Sequence, residues 1–231
     1  MTIHIIEKDE REEKFAALRK LGVELSVPVP ELFVSRKIEN PGCETIIKEG
    51  RSHTWVRNFY NLLFITSIDS RSVGYGDNYG AGYLTPRKFG NGAYIDYPDK
   101  DYLVYMVNSS NYPDLSGIVC GTGDTAYSFE QYQLVSKISH GSTEGQFSHV
   151  NMIRQTPTYD SGTKTWSCNY VRQFNNNSGA AIDVKELGIA SYSPSNYYGC
   201  LLARDVLGST DTINIGGQYT VTYTVKLTFP A

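Results

Sequence analysis

The first chemistry that the sequence offers is a pair of carboxylates. Asp124 and Glu130, or Glu186 and Asp205, are candidate pairs for cleaving a glycosidic bond, because that reaction uses an acidic side chain on each side of the bond. Either pair could face each other across a cleft, but the sequence alone does not show that the two members are close in space. The competing interpretation is structural: Asp124 caps a turn, and Glu186 is a solvated or ion-paired strand residue.

Arg204 and Asp205 form a second charged feature, inside the apolar stretch LLARDVL. Two charges within an apolar strand are unfavourable unless they are paired or reach the surface. We therefore predict a structural ion pair with Lys185 or Glu186 in preference to a catalytic role.

Other residue types that carry chemistry lack the spacing that their chemistry needs. GTGDTAYSF, residues 121–129, is rich in glycine but has neither the GK[ST] ending nor the following helix of a phosphate-binding loop. GYGDNYGAGY offers Asp77 and Asn78 to a calcium ion without the DxDxDG order. We predict no catalytic residue, no cofactor and no metal. Metal-ligand spacing is also missing among the histidines, which are His4, His53, His140 and His149.

The cysteines lie far apart and form no CxxC pair. Most of them sit in apolar, strand-like stretches, so we predict buried, reduced thiols that pack as small hydrophobic groups. A disulfide between two of them stays open as an alternative. The start, MTIHIIEKDEREEKF, shows no secretory leader, so we expect synthesis in a cytosol. The cysteines are Cys43, Cys120, Cys168 and Cys200.

The composition indicates a protein rich in sheets, loops and contact surfaces. The 231 residues include 18 tyrosines and 21 glycines, and 19% are charged. Tyrosine buries a large area at low entropic cost and is common at protein interfaces. The formal net charge of −3 argues against a nucleic-acid partner. No apolar run approaches the roughly 18 residues of a membrane span, so we expect no membrane partner.

Residues 1–45 are predicted to form an N-terminal helix and an extended arm. EKDEREEKFAALRKLG has acidic residues at its start and basic residues toward its end, as the helix dipole favours, and Gly22 is the expected stop. The prolines of VELSVPVPELFVSRKIENPG argue against a helix there and indicate an arm leading into a strand near Leu32–Lys37. The short apolar side of the helix consists of Phe15, Leu18 and Leu21.

Residues 46–231 are predicted to form a β-sandwich domain with an inserted helix at about 52–66. Ser52 or Thr54 is the expected cap of that helix. A long loop rich in glycine and tyrosine follows at about 70–100. The apolar stripe of the helix is Trp55, Phe59, Leu62 and Leu63.

From about Tyr102 onward, strand-like stretches alternate with turn clusters such as YDSGTK and NNNSGAA. The stretch Tyr219–Phe229 alternates apolar or aromatic residues with polar ones, which is the period of a half-buried strand. We predict a mainly β fold: an antiparallel β-sandwich or jelly-roll-like domain with an N-terminal helix, an extended arm and one internal helix.

Several of these stretches resemble structural proteins that tailed phages and prophages encode. The likeness spans residues 117–229 and lies in GIVCGTGDTAYSFEQYQLVSKISHG, TKTWSCNYVRQFNNNSGAAIDVKELGIAS, CLLARDVL and GGQYTVTYTVKLTFP. The upstream WVRNFYNLLF is similar to a helix of the same proteins. The resemblance implies a virion component assembled in the host cytoplasm, and it carries no catalytic residues.

Three functions of different classes follow. The first is a non-enzymatic virion structural subunit that contacts copies of itself and other virion proteins, as a capsid decoration protein or as a tail, neck or baseplate component. The second is a module that binds host glycans through aromatic side chains, and the third is a cell-wall hydrolase. The candidate residues for subunit or glycan contacts are Phe15, Leu18, Leu21, Tyr75, Tyr79, Tyr83 and Tyr94.

Overall fold

The computed structural model of the chain describes residues 1–52, 55–67, 113–193 and 198–230. The predicted Gly/Tyr-rich loop, with Tyr75, Tyr79, Tyr83, Tyr94, Asp77 and Asn78, lies outside these residues, as do His53 and Thr54. The described elements are α1 (Glu12–Leu25), α2 (Arg57–Ser67), β1 (Thr2–Ile6), β2 (Val29–Glu39), β3 (Thr45–Arg51), β4 (Gly117–Gly121), β5 (Ser148–His149), β6 (Ile153–Arg154), β7 (Thr158–Asp160), β8 (Thr165–Asn175), β9 (Ile182–Ser193), β10 (Tyr198–Ile213) and β11 (Gln218–Thr228).

These strands form two sheets. The large sheet has the order β1-β3-β2-β11-β8-β5, and β6 and β7 also pair with β8. The small sheet has the order β10-β9-β4. The pair β1–β3 is parallel, and the other pairs between described strands are antiparallel. The prediction of a mainly β, antiparallel, sandwich-like fold is confirmed.

The alternating strand β11 lies at the centre of the large sheet, between β2 and β8. Tyr219, Val221 and Tyr223 are fully buried, and the threonines between them are only partly buried. Their cross-strand neighbours point the same way, because residues that are directly opposite share a face of the sheet. The predicted half-buried strand is therefore confirmed.

The small sheet is covered on both faces. Ile118 and Ile189 pack into the main core together with Phe174 and Tyr219 of the large sheet. The residues that follow them in the chain turn to the opposite face, as the two-residue period of a strand requires. There they join a second apolar cluster, which consists of Val56, Val119, Leu134, Ala190 and Leu201.

Helix α1 runs further than predicted. It ends at Leu25, where Ser26 adopts a left-handed conformation, and the Val27 N–H donates to Gly22 O at 2.9 Å. The expected stop at Gly22 is wrong, and no basic residue lies in the last turn. Gly22 is instead buried, and a Cβ there would overlap Cγ2 of Val29. Glycine is needed for the close approach of the helix to β2.

The predicted arm is largely replaced by β2. The strand expected near Leu32–Lys37 is present, but it extends over eleven residues and lies between β3 and β11. Because β2 pairs with β11 over its whole length, the large sheet crosses the predicted boundary at residue 45. Pro30 is tolerated since β3 pairs only with Phe33–Ile38, so no β3 residue needs an N–H donor at that point.

The internal helix is confirmed as α2, but its start differs from the prediction. The helix begins at Arg57, and Ser52 does not cap it, since its hydroxyl donates to Asp205 Oδ2 at 2.8 Å. The rings of Trp55 and Phe59 stack with their centroids 4.0 Å apart. Leu62 is fully buried in the main core.

The four cysteines are free, so the alternative of a disulfide is wrong. Cys120, Cys168 and Cys200 are buried, as predicted, whereas Cys43 is exposed. Burial raises the pKa of the Cys120 and Cys200 thiols far above their usual value, so both stay protonated and unreactive.

Candidate functional site

The glycine-rich turn packs around the carboxylate of Glu186, which also accepts hydrogen bonds from residues 135 and 136 and from Arg204. Glu186 Oε1 accepts the N–H of Gly123 at 3.2 Å and of Ser136 at 2.8 Å, and Glu186 Oε2 accepts the N–H of Val135 at 3.1 Å. Arg204 Nε donates to Oε2 at 2.7 Å. Both side chains are fully buried. The predicted pairing of Arg204 with Glu186 is therefore confirmed.

The glycines of the GTG turn make room for this carboxylate. A Cβ on Gly121 would lie 2.5 Å from Glu186 Oε1, and one on Gly123 would lie 2.6 Å from the same atom. Arg204 also donates to Thr125 O at 3.0 Å, which holds the following segment over the small sheet. The Glu186 carboxylate thus occupies the space inside the turn, and the Gly123 N–H is not available to a phosphate.

Gly123→Ala is expected to lower the free energy of unfolding by about 2 kcal/mol, because the added methyl group would collide with Val135 and Glu186. Urea unfolding measures the loss. Gly208→Ala is the matched control, because a Cβ there meets nothing within 4 Å. Equal stability of the two variants would contradict this account of the turn.

The proposed carboxylate pairs do not form. Asp205 lies directly opposite Leu187, so it shares the face of Leu187, and Glu186 points to the other face of the small sheet. Asp124 lies 3.2 Å from Lys185 Nζ, and Glu130 lies 2.5 Å from Arg57 Nη2. These ion pairs involve different partners at exposed positions. The arrangement does not match the two facing carboxylates of a glycosidase.

A row of polar groups crosses the main core between the two sheets. Asp211 is fully buried and accepts hydrogen bonds from Arg36 Nη1 at 2.9 Å, from Tyr219 Oη at 2.8 Å and from Lys48 Nζ at 2.6 Å. Arg36 Nη2 also pairs with Glu7. We call these residues the Asp211 cluster. Burial, followed by the nearby charge of Asp211, raises the pKa of Tyr219 well above its usual value.

Asp205, which lies earlier in β10, is a second buried carboxylate that accepts a tyrosine hydroxyl from β11. Its Oδ2 accepts the hydroxyls of Tyr223 at 2.7 Å and of Ser52 at 2.8 Å. Burial and then the Asp205 charge raise the pKa of Tyr223 well above its usual value, so this phenol is a permanent donor. The acidic residues of β10 thus hold the small sheet against β11 of the large one.

A third arginine, Arg172, is held by backbone carbonyls. Its Nε donates to Val150 O at 2.9 Å, and its Nη1 donates to Ser116 O at 3.0 Å and to Ile118 O at 2.7 Å. Burial lowers the pKa of Arg172 to about 10. The guanidinium stays charged at neutral pH and links β8 to β4.

His149 lies beside Arg172 and is a structural residue, as predicted. Its ring Nδ1 is 3.2 Å from Pro113 O and 3.5 Å from Asp114 Oδ1. The backbone N–H of His149 donates to His140 Nδ1 at 3.0 Å. Burial, followed by the positive charge of Arg172, lowers the pKa of His149 to about 4. Among the residues with described positions, no group of three or more potential ligands could hold a metal ion.

This histidine makes stability depend on pH. Its pKa is about 4 in the folded chain and 6.5 in the unfolded chain, so the unfolded chain binds more protons between these values. We expect stability to be complete above pH 6.5 and to fall by up to about 3 kcal/mol as the pH drops to about 4. Urea unfolding at several pH values measures this slope. His149→Gln should flatten it, and an unchanged slope would assign the effect to other groups.

The outer face of the large sheet carries a cleft of about 940 Å³. Its lining is mostly acidic where β1 leads into α1, and it continues across β2, β3, β8 and β11. The cationic groups of Arg51 and Lys226 lie 4.6 and 4.7 Å from the ring centroid of Phe33. Because these cations already contact the ring, Phe33 does not present a free aromatic face to a sugar.

Helix α1 places the predicted contact residues on different sides. Phe15 is half-buried, with the guanidinium of Arg51 3.9 Å from its ring centroid, so it anchors the helix to the sheet. Leu18 and Leu21 are exposed, and sequence reasoning missed that Leu25 continues their line. The spacing of three and then four residues puts the three leucines in one stripe on the helix surface. We call Leu18, Leu21 and Leu25 the leucine stripe.

Comparison of the chain with protein-family models, curated proteins and solved structures finds no match. Neither helix in the described residues has the length and apolar character needed to cross a bilayer.

Proposed function

We propose that the chain is a non-enzymatic structural subunit of a tailed-phage virion, with the capsid surface as its location and a decoration role. The observation that carries the proposal is the leucine stripe. Its members are 45%, 47% and 63% exposed, on a helix of which only Gly22 is buried. Leucines spaced by three and four residues are typical of helix surfaces that pack against another helix.

The buried carboxylates also support a structural role. Each accepts internal hydrogen bonds that join the two sheets or hold the GTG turn; the residues are Glu186, Asp205 and Asp211. A buried carboxylate saturated by donors is a poor general acid or base, because it has no free lone pair directed at a substrate. A rigid sandwich with an apolar helix on its surface suits a subunit that packs into a larger assembly.

A tail, neck or baseplate position stays the alternative location, since a ring along a tail axis would use the same helix. The two locations differ in symmetry. A reconstruction of the particle that places the chain on threefold or sixfold positions of the shell supports decoration, and stacked rings along the tail support the alternative.

Incorporation into particles tests the proposal. We expect mass spectrometry of purified particles to find the chain. Leu21→Glu should reduce its copy number about tenfold, because a charge would replace an exposed leucine that the contact is proposed to cover. Ala16→Glu adds the same charge to an exposed position on the other flank of α1 and should incorporate normally. Particles without the wild-type chain, or hydrolysis of cell-wall glycan by the purified chain, would overturn the proposal.

A further inference from the structure

We propose that β1 pairs with β1 of a second copy of this chain, antiparallel and across a twofold axis, so that the two large sheets join edge to edge. The dimer itself is inferred from β1 alone. Only its place in a virion rests on the proposed function. The dimer contact uses a surface separate from the leucine stripe, so each can be tested without the other.

The free edge of β1 is defined by its pairing with β3. Thr45 N–H donates to Met1 O at 3.3 Å, and Glu7 N–H donates to Glu49 O at 2.7 Å. In a parallel ladder the residues that bond a given neighbour alternate along the strand. Residues 1, 3, 5 and 7 therefore bond to β3, and the N–H and C=O groups of Thr2, His4 and Ile6 point away from it.

That edge is open in the part of the chain that the structure describes. No described strand pairs with β1 besides β3, and all five residues of β1 are exposed. Natural sheets usually protect an edge with charged side chains, proline or a bulge. Thr2–Ile6 contains no Lys, Arg, Asp, Glu or Pro and pairs with β3 in continuous register.

The strand is complementary to itself. With His4 opposite His4 of the second copy, Thr2 lies opposite Ile6, and all of these residues turn their backbone groups toward the new neighbour. Such opposing residues form the hydrogen-bonded pairs of an antiparallel ladder. Ile3 then lies opposite Ile5 of the second copy, and the register adds no pair of like-charged side chains.

The apolar side chains favour a second copy as the occupant. Ile3 and Ile5 share the inner face of the large sheet with Ile46, and each is 40% exposed in the part of the chain that the structure describes. Twofold pairing sets four isoleucines side by side and covers them mutually. A twofold contact also pairs the free β1 edge of each copy with that of the other. Assembly through β1 therefore stops at two copies and does not continue into a fibre.

His4→Pro tests the pairing selectively. Proline removes an N–H that points away from β3, so it leaves the bonds to β3 in place while it deletes two central hydrogen bonds of the dimer. We expect light scattering over a dilution series to show a dimer for the wild type, and a dimer at least about tenfold weaker for His4→Pro. His4→Ala keeps the N–H and should dimerise like the wild type.

Hydrogen exchange of the wild type supplies a second readout that does not depend on the folding of a variant. The amides of Thr2, His4 and Ile6 should become more protected as the concentration rises, and those of Ile3 and Ile5 should not change. If the wild type stays monomeric and the amides of Thr2, His4 and Ile6 stay unprotected, the inference is overturned. The β1 edge would then be available to a strand of another protein. A dimer that His4→Pro does not weaken overturns the inference too. Neither result bears on incorporation into particles.

Discussion

Glu186→Gln is expected to lower the free energy of unfolding by about 4 kcal/mol, because it breaks a buried ion pair by removing one partner. The amide keeps the size of the side chain but retains one acceptor oxygen where two served four donors. The lost oxygen becomes an NH₂ group that faces N–H donors. Arg204 is then a buried guanidinium without a counter-charge.

Urea unfolding followed by tryptophan fluorescence measures this loss. Asp124→Asn is the matched control, because Asp124 belongs to the same turn but is exposed and pairs with the exposed Lys185. Exposed ion pairs contribute little, so the control should change stability by less than about 0.5 kcal/mol. If both variants lost the same stability, the internal role of the GTG turn would be refuted.

Asp211→Asn is expected to cost about 4 kcal/mol as well, because the carboxylate is the counter-charge shared by Arg36 and Lys48 in the main core. Asparagine has one acceptor oxygen in place of two. If that oxygen keeps the bonds from Arg36 and Tyr219, which share Oδ2 of Asp211, the new NH₂ group faces the ammonium of Lys48. Glu7 pairs with Arg36 from a partly exposed position and cannot replace a fully buried charge.

Thermal and urea unfolding of Asp211→Asn should be compared with those of Asp183→Asn. Asp183 is exposed on β9, beside the register of Asp211, and accepts a hydrogen bond from Thr212 Oγ1 at 2.6 Å. That control should remain within about 0.5 kcal/mol of the wild type. A stable Asp211→Asn chain would mean that Arg36 and Lys48 reach solvent or another acceptor.

Local patterns predicted the features that depend on near neighbours. The alternation around Tyr223 indicated a half-buried strand, and the apolar spacing of Trp55, Phe59 and Leu62 indicated a helix. The charges in LLARDVL pointed to an ion pair with Lys185 or Glu186, because an apolar strand tolerates charges only when they are paired. Each of these inferences used residues within a few positions or a single electrostatic argument.

The Asp211 cluster was beyond such reasoning, because its members lie far apart in the chain. Arg36 and Asp211 are separated by 175 positions and meet only once the sheets stack. A signal was present: Arg36 occupies an inward position of β2 between Val34 and Ile38, where an apolar residue is normal. The inward arginine indicated a buried acceptor, but the sequence did not say which group supplies it.

The place of β2 was mispredicted for a related reason. Prolines indicated an arm, since proline is rare in inner strands. The structure admits Pro30 at a point that β3 does not reach. Whether a proline fits at position 30 depends on the length of β3. Strand lengths are set by tertiary packing more than by local sequence.

The position of β11 between β2 and β8 also constrains how the chain acquires its fold during synthesis. A ribosome makes β2 early, yet that strand must wait for residues 218–228 before its long antiparallel partner exists. Until then the nascent sheet lacks its central strand, and the edges of β2 and β8 that β11 will cover are exposed. Such late closure makes folding slow and exposes the nascent chain to mispairing, so molecular chaperones should raise its yield in cells.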